Sequence, residues 1–315
     1  MKKKISIVSS AHNEADNIEL LCEQVKEVMS GWAEQYDYEH IILDNASTDE
    51  TLSKLRKIAA KDKHVKVIVN ARNFGHIRSP YYGMMQGKGN AVIYMASDLQ
   101  DPPELISEFI KKWQEGYPVV LAQKVCSKES KLFFCVRKFY YWLLNLVNDS
   151  GAELVPNCTG FGLFDKEVIE QMRRLEDPYP YVRGLVCELG YAKALVPFAQ
   201  PKRKRGFTKN NFYTLYDNAM IGFTNHSKVP LRLAALGGFV LSAISFLLGC
   251  IYLVLKLLFW DHFPMGTAPI LLAVLFFTSV QLLFLGILGE YIGAILTQIL
   301  KRPLVIEKER INFDK

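Results

Sequence analysis

The chain has 315 residues, 50% of them hydrophobic and 22% charged, with a formal net charge of +6, which gives ample apolar content for a sizeable core. The modest positive charge carries no accompanying recognition motif, so nucleic acid is not an expected partner. Six cysteines (22, 126, 135, 158, 187 and 250) show neither a CxxC pair nor metal-ligand spacing; they read as reduced thiols and exclude a disulfide framework.

The N-terminus, MKKKISIVSS, enters a strand-like run at Lys4–Ser10 without the apolar core of a signal peptide. Ile18, Leu21, Val25 and Val28 then recur at helical spacing. A strand is predicted at His40–Leu43, a helix on Leu52, Leu55 and Ile58, and further strands at Val65–Val69, Ala91–Met95 and Pro118–Ala122. Asp101-Pro102-Pro103-Glu104 has a capping Asp and prolines suited to a first helical turn. Short strands alternating with amphipathic helices predict an α/β fold with a doubly wound, mostly parallel sheet. Ligands bind such sheets at the carboxyl ends of the strands. Asp44-Asn45, Arg72-Asn73, Ser97-Asp98 and Gln123-Lys124 fall at four of those ends, so carboxylates and cations meet along one edge. Any one of them, Asp49 and Asp101 above all, is equally a helix cap; the four together suit a polyanion or a nucleotide.

Farther along, Phe133 to Val147 (FFCVRKFYYWLLNLV) is aromatic-rich and reads either as a bilayer-surface segment or as a half-buried helix. The densest basic cluster, Lys202-Arg203-Lys204-Arg205, precedes two apolar runs, Leu233 to Phe259 and Pro269 to Leu300. Each exceeds the roughly 20 residues that a spanning helix needs. They hold one charge apiece, Lys256 near the end of the first, where a lysine can snorkel, and Glu290 in the second, which pairs with a neighbouring helix or faces the interface. Lys228 and Arg232 lie before the first run and Lys301 and Arg302 after the second, whereas the intervening WDHFPMGTAP has no Lys or Arg. The positive-inside rule then puts both chain ends in the cytoplasm. The expected organisation is a cytosolic domain over 1–200, a basic juxtamembrane segment over 201–232, a helical hairpin over 233–300 and a cytosolic tail over 301–315. Two buried helices of a soluble core are the bland alternative.

SIVSSAHNEADNI (6–18), IILDNASTDET (41–51), RNFGH (72–76) and MASDLQDPPELI (95–106) follow one another in the order of a known set of signatures. With TGFGLFDKEVI (159–169), YVRGLVCELGY (181–191), RKRGFTKNNFYTLYD (203–217) and LGEYIG (288–293), the chain resembles the family 2 glycosyltransferases of the GT-A fold, in particular the polyprenyl-phosphate and dolichyl-phosphate sugar transferases. The resemblance covers nearly the whole length. It implies that Glu14, Asp44, Asn45, Arg72 and Lys124 serve a nucleotide-sugar donor, and that Asp98, with Gln100 on the same strand-end face, holds Mg²⁺ or Mn²⁺ on its diphosphate. Asp98 and Arg205 are the expected catalytic residues. A bacterial inner-membrane enzyme inverting one sugar onto undecaprenyl phosphate, for surface-glycan modification, is the implied function; homo-oligomerisation is left open.

Three departures stand out. Ala96-Ser97-Asp98 replaces the usual Asp-x-Asp, Thr159-Gly160-Phe161-Gly162-Leu163 replaces Gly-Asp-Phe-Arg-Leu, and Asn45-Ala46 replaces Asp-Gly. They make metal dependence an open question and keep a rival in view, a non-catalytic scaffold that binds lipid phosphate or nucleotide sugar. A processive synthase is disfavoured by the absence of a QxxRW-type segment. A lipid monophosphate, with a second pKa near ~6, needs no strong base to become a nucleophile. It needs cations, and Arg183, Arg203, Lys204, Arg205 and Lys209 are the expected acceptor-phosphate residues.

Overall fold

The computed structural model describes residues 2–126, 155, 157–201, 229–258 and 267–313. Strands β1 (Lys3–Ala11), β2 (Tyr36–Asp44), β3 (Val65–Asn70), β4 (Ala91–Ala96) and β5 (Val119–Cys126) appear where β-branched runs predict them, while β6 (Cys158–Asp165), β7 (Lys193–Ala199) and β8 (Glu307–Ile311) are additional. The order across the sheet is β7-β5-β6-β4-β1-β2-β3-β8. Pairs β1–β2, β1–β4, β2–β3 and β5–β7 are parallel, whereas β6 runs antiparallel to β4 and β5, and β8 antiparallel to β3. The sheet is therefore mixed.

Helices cover both faces, which is why the central strands read as continuous apolar runs. On one face α1 (Ile18–Ser30), α2 (Thr51–Lys61) and α4 (Leu105–Gln114) bury Leu21, Val25, Leu55, Phe109 and Ile110 against Ile5, Ile7, Ile42 and Ile93. On the other, α3 (Gly75–Gln86), α5 (Lys166–Leu175) and α6 (Val182–Glu188) bring Tyr81, Met84, Ile169, Met172 and Val186 onto Val8, Ile41, Leu43 and Ile68. Side chains of these types stabilise by about 1.5–3 kcal/mol each when fully buried.

Two long helices follow, α7 (Val229–Leu258, 30 residues) and α8 (Thr267–Leu300, 34 residues). At 1.5 Å per residue they reach about 45 and 51 Å, more than the ~30 Å hydrocarbon core. Their apolar windows, Leu231–Leu248 and Phe276–Leu300, have mean hydropathies of 2.0 and 1.7 and no buried share. Phe239, Phe246 and Ile299 are among the side chains that stand outward. Such surfaces suit lipid and not a soluble core, so the bland alternative fails. The hairpin touches the globular part where the Gln298 side-chain amide donates to Asp177 Oδ1 at 3.0 Å.

The segment expected as a tail carries β8. Glu307 and Arg310 of this strand engage Tyr82 and Gln86 of α3, and Asn312 donates to the carbonyl oxygens of Ala59 and Val65. Because β8 is antiparallel to β3, it enters the sheet beside the carboxyl end of β3, with Glu307 opposite Asn70. At the far side β7, parallel to β5, leaves the sheet at the same edge. The chain thus departs for the helical hairpin and returns from it along the edge that carries the candidate site.

Candidate active site

Four parallel strands place their carboxyl ends side by side, and the loops after them hold most of the predicted residues. Asp44 ends β2 fully buried, and both its carboxylate oxygens accept from the Ser47 backbone N–H at 3.3 and 3.4 Å. Burial pushes this carboxyl above the usual aspartate range, against the lowering effect of those hydrogen bonds. Glu14 lies across from it after β1. Its backbone N–H donates to Thr51 Oγ1 and its carboxylate accepts from Asn17 Nδ2 at 2.6 Å. The β1 and β2 loops are further stitched by Asn13, whose carboxamide oxygen accepts the Thr48 N–H at 2.8 Å.

Asn45 follows Asp44 and is buried. Its side-chain amide donates to Asn73 Oδ1 and Gly75 O, and accepts from Asn70 Nδ2 and the Phe74 N–H, all within 2.9–3.1 Å. Two donors and two acceptors use the whole capacity of the group. Asn45 therefore organises the loops of β2 and β3 with its whole side-chain amide. Arg72 is exposed, with its guanidinium 4.1 Å from the Phe74 ring centre and bonded to the Asn73 carbonyl.

After β4, Leu99 takes a left-handed backbone with φ 59°, and the turn carries three polar groups. Asp98, half-buried, accepts the Gln100 N–H at 3.2 Å. Ser97 donates to the Ser10 carbonyl. Asp101 does not cap α4, which has no side-chain cap bond; its Oδ2 instead accepts the Ala96 N–H at 2.9 Å and closes the strand end. Burial drives the Asp101 carboxyl up to about 7, with the charge of Asp98 adding to the rise and Lys124 and Arg183 opposing it. Those electrostatic effects put Asp98, Asp101, Lys124 and Arg183 in one neighbourhood. Asp49, by contrast, does serve the start of α2, accepting the Thr51 N–H at 2.9 Å.

Lys124 lies within β5, not beyond it, because β5 runs on to Cys126 and pairs through Lys124 with Phe198. Arg183 opens α6 as an exposed residue and lines a small recess with Leu121, Cys158, Gly160 and Val186. Gly160 and Gly162 lie within β6, the strand wedged between β4 and β5. A Cβ on Gly162 would fall 2.3 Å from the Val120 carbonyl oxygen, so the arginine usual here has no room in this packing. Arg203, Lys204, Arg205 and Lys209 lie outside the described residues, as does the 133–147 segment.

Among the described residues no group of three or more His, Cys, Asp or Glu gathers to hold a metal. One half-buried carboxylate beside one buried carboxyl still fits an ion that takes most of its ligands from a diphosphate and water, the usual Mg²⁺ arrangement. Sequence reasoning read Asp101 only as a helix start, because an Asp before Pro-Pro signals one, and so missed its place beside Asp98. Its spacing of three from Asp98 was the available clue.

Residues 229–295 match the family model described as the GtrB C-terminal hairpin. Over 312 residues the chain is 38% identical to a protein of Bacillus subtilis (strain 168) named "Uncharacterized glycosyltransferase YkcC", covering 98% of this chain and 94% of that one. It is 31% identical to the SfII prophage-derived bactoprenol glucosyl transferase of Shigella flexneri, over 97% and 98% of the two chains. Mannosyl-3-phosphoglycerate synthase from Rubrobacter xylanophilus aligns over 75% of each chain at 17% identity, with a TM-score of 0.47. Residues 6–173, which carry the carboxyl ends of β1 to β5, match the model of glycosyl transferase family 2, and the chain belongs to that family of enzymes.

Proposed function

We propose that this glycosyltransferase moves one sugar from a nucleotide-sugar donor to undecaprenyl phosphate, or a similar polyprenyl phosphate, at the cytosolic face of a bacterial inner membrane. The observation that carries the proposal is topological. Both connections to the apolar hairpin, after β7 and before β8, leave from the edge that bears Asp44, Asp98 and Arg183. A site so placed meets a lipid headgroup without the lipid leaving the bilayer. The bactoprenol glucosyl transferases among the relatives support the same acceptor.

In this reading Glu14 and Asp44 hold the nucleoside end of the donor, and Asp98, assisted by Gln100, would hold Mg²⁺ or Mn²⁺. Such an ion neutralises charge on the diphosphate as it leaves. Lys124 and Arg183, whose charges reach Asp101, add fixed positive potential at the same point. The acceptor's ionised phosphate oxygen attacks the anomeric carbon from the face opposite the leaving diphosphate, which inverts that centre. No protein base is required, since the nucleophile is already anionic near neutral pH. Cations must bring two polyanions together, and the basic run of Arg203, Lys204, Arg205 and Lys209 supplies that type of charge beside the membrane segment.

The deciding experiment incubates membranes containing the protein with labelled nucleotide sugars and undecaprenyl phosphate. One organic-extractable, mild-acid-labile product is expected. No extractable label with any donor, from membranes that contain folded protein, would sink the proposal.

A further inference from the structure

We infer that Arg78 of α3 is a binding residue for the phosphate of the lipid acceptor; this rests on the acceptor class proposed above. Arg78 is half-buried, and its Nε is buried without a hydrogen-bond partner. It forms no ion pair among the described residues. Its guanidinium lies over the Tyr179 ring, 5.1 Å from the centre. Stacking of that kind occupies the face of the guanidinium and leaves its in-plane N–H groups to meet an oxyanion. A buried N–H with no partner is costly in the resting protein, and an incoming phosphate oxygen would relieve that cost.

Position favours the acceptor over the donor. The neighbouring Ser79 hydroxyl bonds to Ser10 and Asn70 at the ends of β1 and β3, so Arg78 sits at the site edge. Two residues before Tyr179, Asp177 takes the hydrogen bond from Gln298, which lies two residues from the end of α8, next to Lys301 and Arg302. Arg78 is thereby tied to the membrane boundary through Tyr179 and its loop. The carboxylates assigned to the donor sit in the loops of β1 and β2.

The test titrates undecaprenyl phosphate into the full-length protein in phosphatidylcholine nanodiscs, with undecaprenol as the uncharged control. The parent should bind the phosphate and not the alcohol. Arg78→Gln should weaken that binding by about tenfold, the worth of one charge-assisted contact, and Arg78→Lys by less. The melting temperature without ligand, and affinity for whichever of UDP and GDP binds the parent, should stay unchanged. Unaltered lipid-phosphate affinity in both variants, or a loss confined to the nucleotide, overturns the assignment. A loss seen only as weaker attachment to phosphatidylglycerol vesicles overturns it too, in favour of general headgroup contact. Should the parent itself fail to distinguish phosphate from alcohol, the acceptor class proposed above falls, and this inference with it. If Arg78→Gln does not fold, Arg78→Lys, which keeps stem and charge, carries the comparison.

Discussion

Asn70 at the end of β3 faces Glu307 at the start of β8, although both long apolar helices lie between them in the chain. Two residues paired in one sheet share one side of a bilayer, so the spans between them must cross it an even number of times. The pairing supports, independently of flanking charge, the reading that the hairpin's two ends share a side. A cysteine at Thr267, in a chain stripped of its native cysteines, should be labelled by an impermeant thiol reagent from the periplasm. Labelling only after the inner membrane is broken would reverse the orientation.

Asp98→Asn should lower turnover by about 10² or more, the usual loss when a transition-state electrostatic contact is removed. Ala96→Asp, which restores the missing carboxylate of the strand end, should sharpen Mg²⁺ or Mn²⁺ dependence. Both are read from initial rates against metal concentration. Near-normal turnover in Asp98→Asn would take that residue out of the site.

Arg205→Ala should cost about 1.5–3 kcal/mol in acceptor kcat/KM and leave donor affinity nearly intact, if the basic run clamps the lipid phosphate. The acidic limb of the rate profile should follow the acceptor's own ionisation near ~6. Rates measured at saturating donor with varied lipid phosphate decide it; a donor-only defect would reverse the assignment.

Gly162→Ala should destabilise the domain by about 1–3 kcal/mol, since its Cβ would press on the Val120 carbonyl and central strands cannot spread cheaply. Thermal melting of the purified variant checks this. The family arginine is thus absent here for a packing reason, and Gly162→Arg should fail to restore anything.

His40 gives the stability a pH dependence. It is fully buried, and desolvation holds its pKa down at about 4, while an unfolded histidine titrates near ~6.5. Between those values the unfolded chain binds a proton that the folded one refuses, so stability is complete above ~6.5 and falls as pH drops toward 4, by about 1.4 kcal/mol per unit from this residue. His40→Gln should flatten that slope of melting temperature against pH. An unchanged slope would show that other groups set it.

The residues that were legible in the sequence are those whose signals are local. Apolar runs mark β1 to β5, and they place Asp44 at the carboxyl end of β2 without any three-dimensional information. The strands that were missed carry conflicting signals. β6 contains Gly160 and Gly162, which read as a loop. β7 contains Pro197, tolerated because this strand is an edge. β8, Glu-Lys-Glu-Arg-Ile, is nearly all charged, as suits an outer strand that must not recruit another chain. The four partners around the Asn45 amide join two loops far apart in the chain, a tie that no local signal carries.

The place of β8 also orders events in the life of the molecule. It is made after both long apolar helices, so until then the sheet is one strand short. If α7 and α8 cross the bilayer and return as proposed, β3 keeps until then a bare edge able to pair with any neighbouring strand. A chain that fails to insert should therefore be misfolding-prone as well as mislocalised, and completion of the sheet becomes a readout of successful integration.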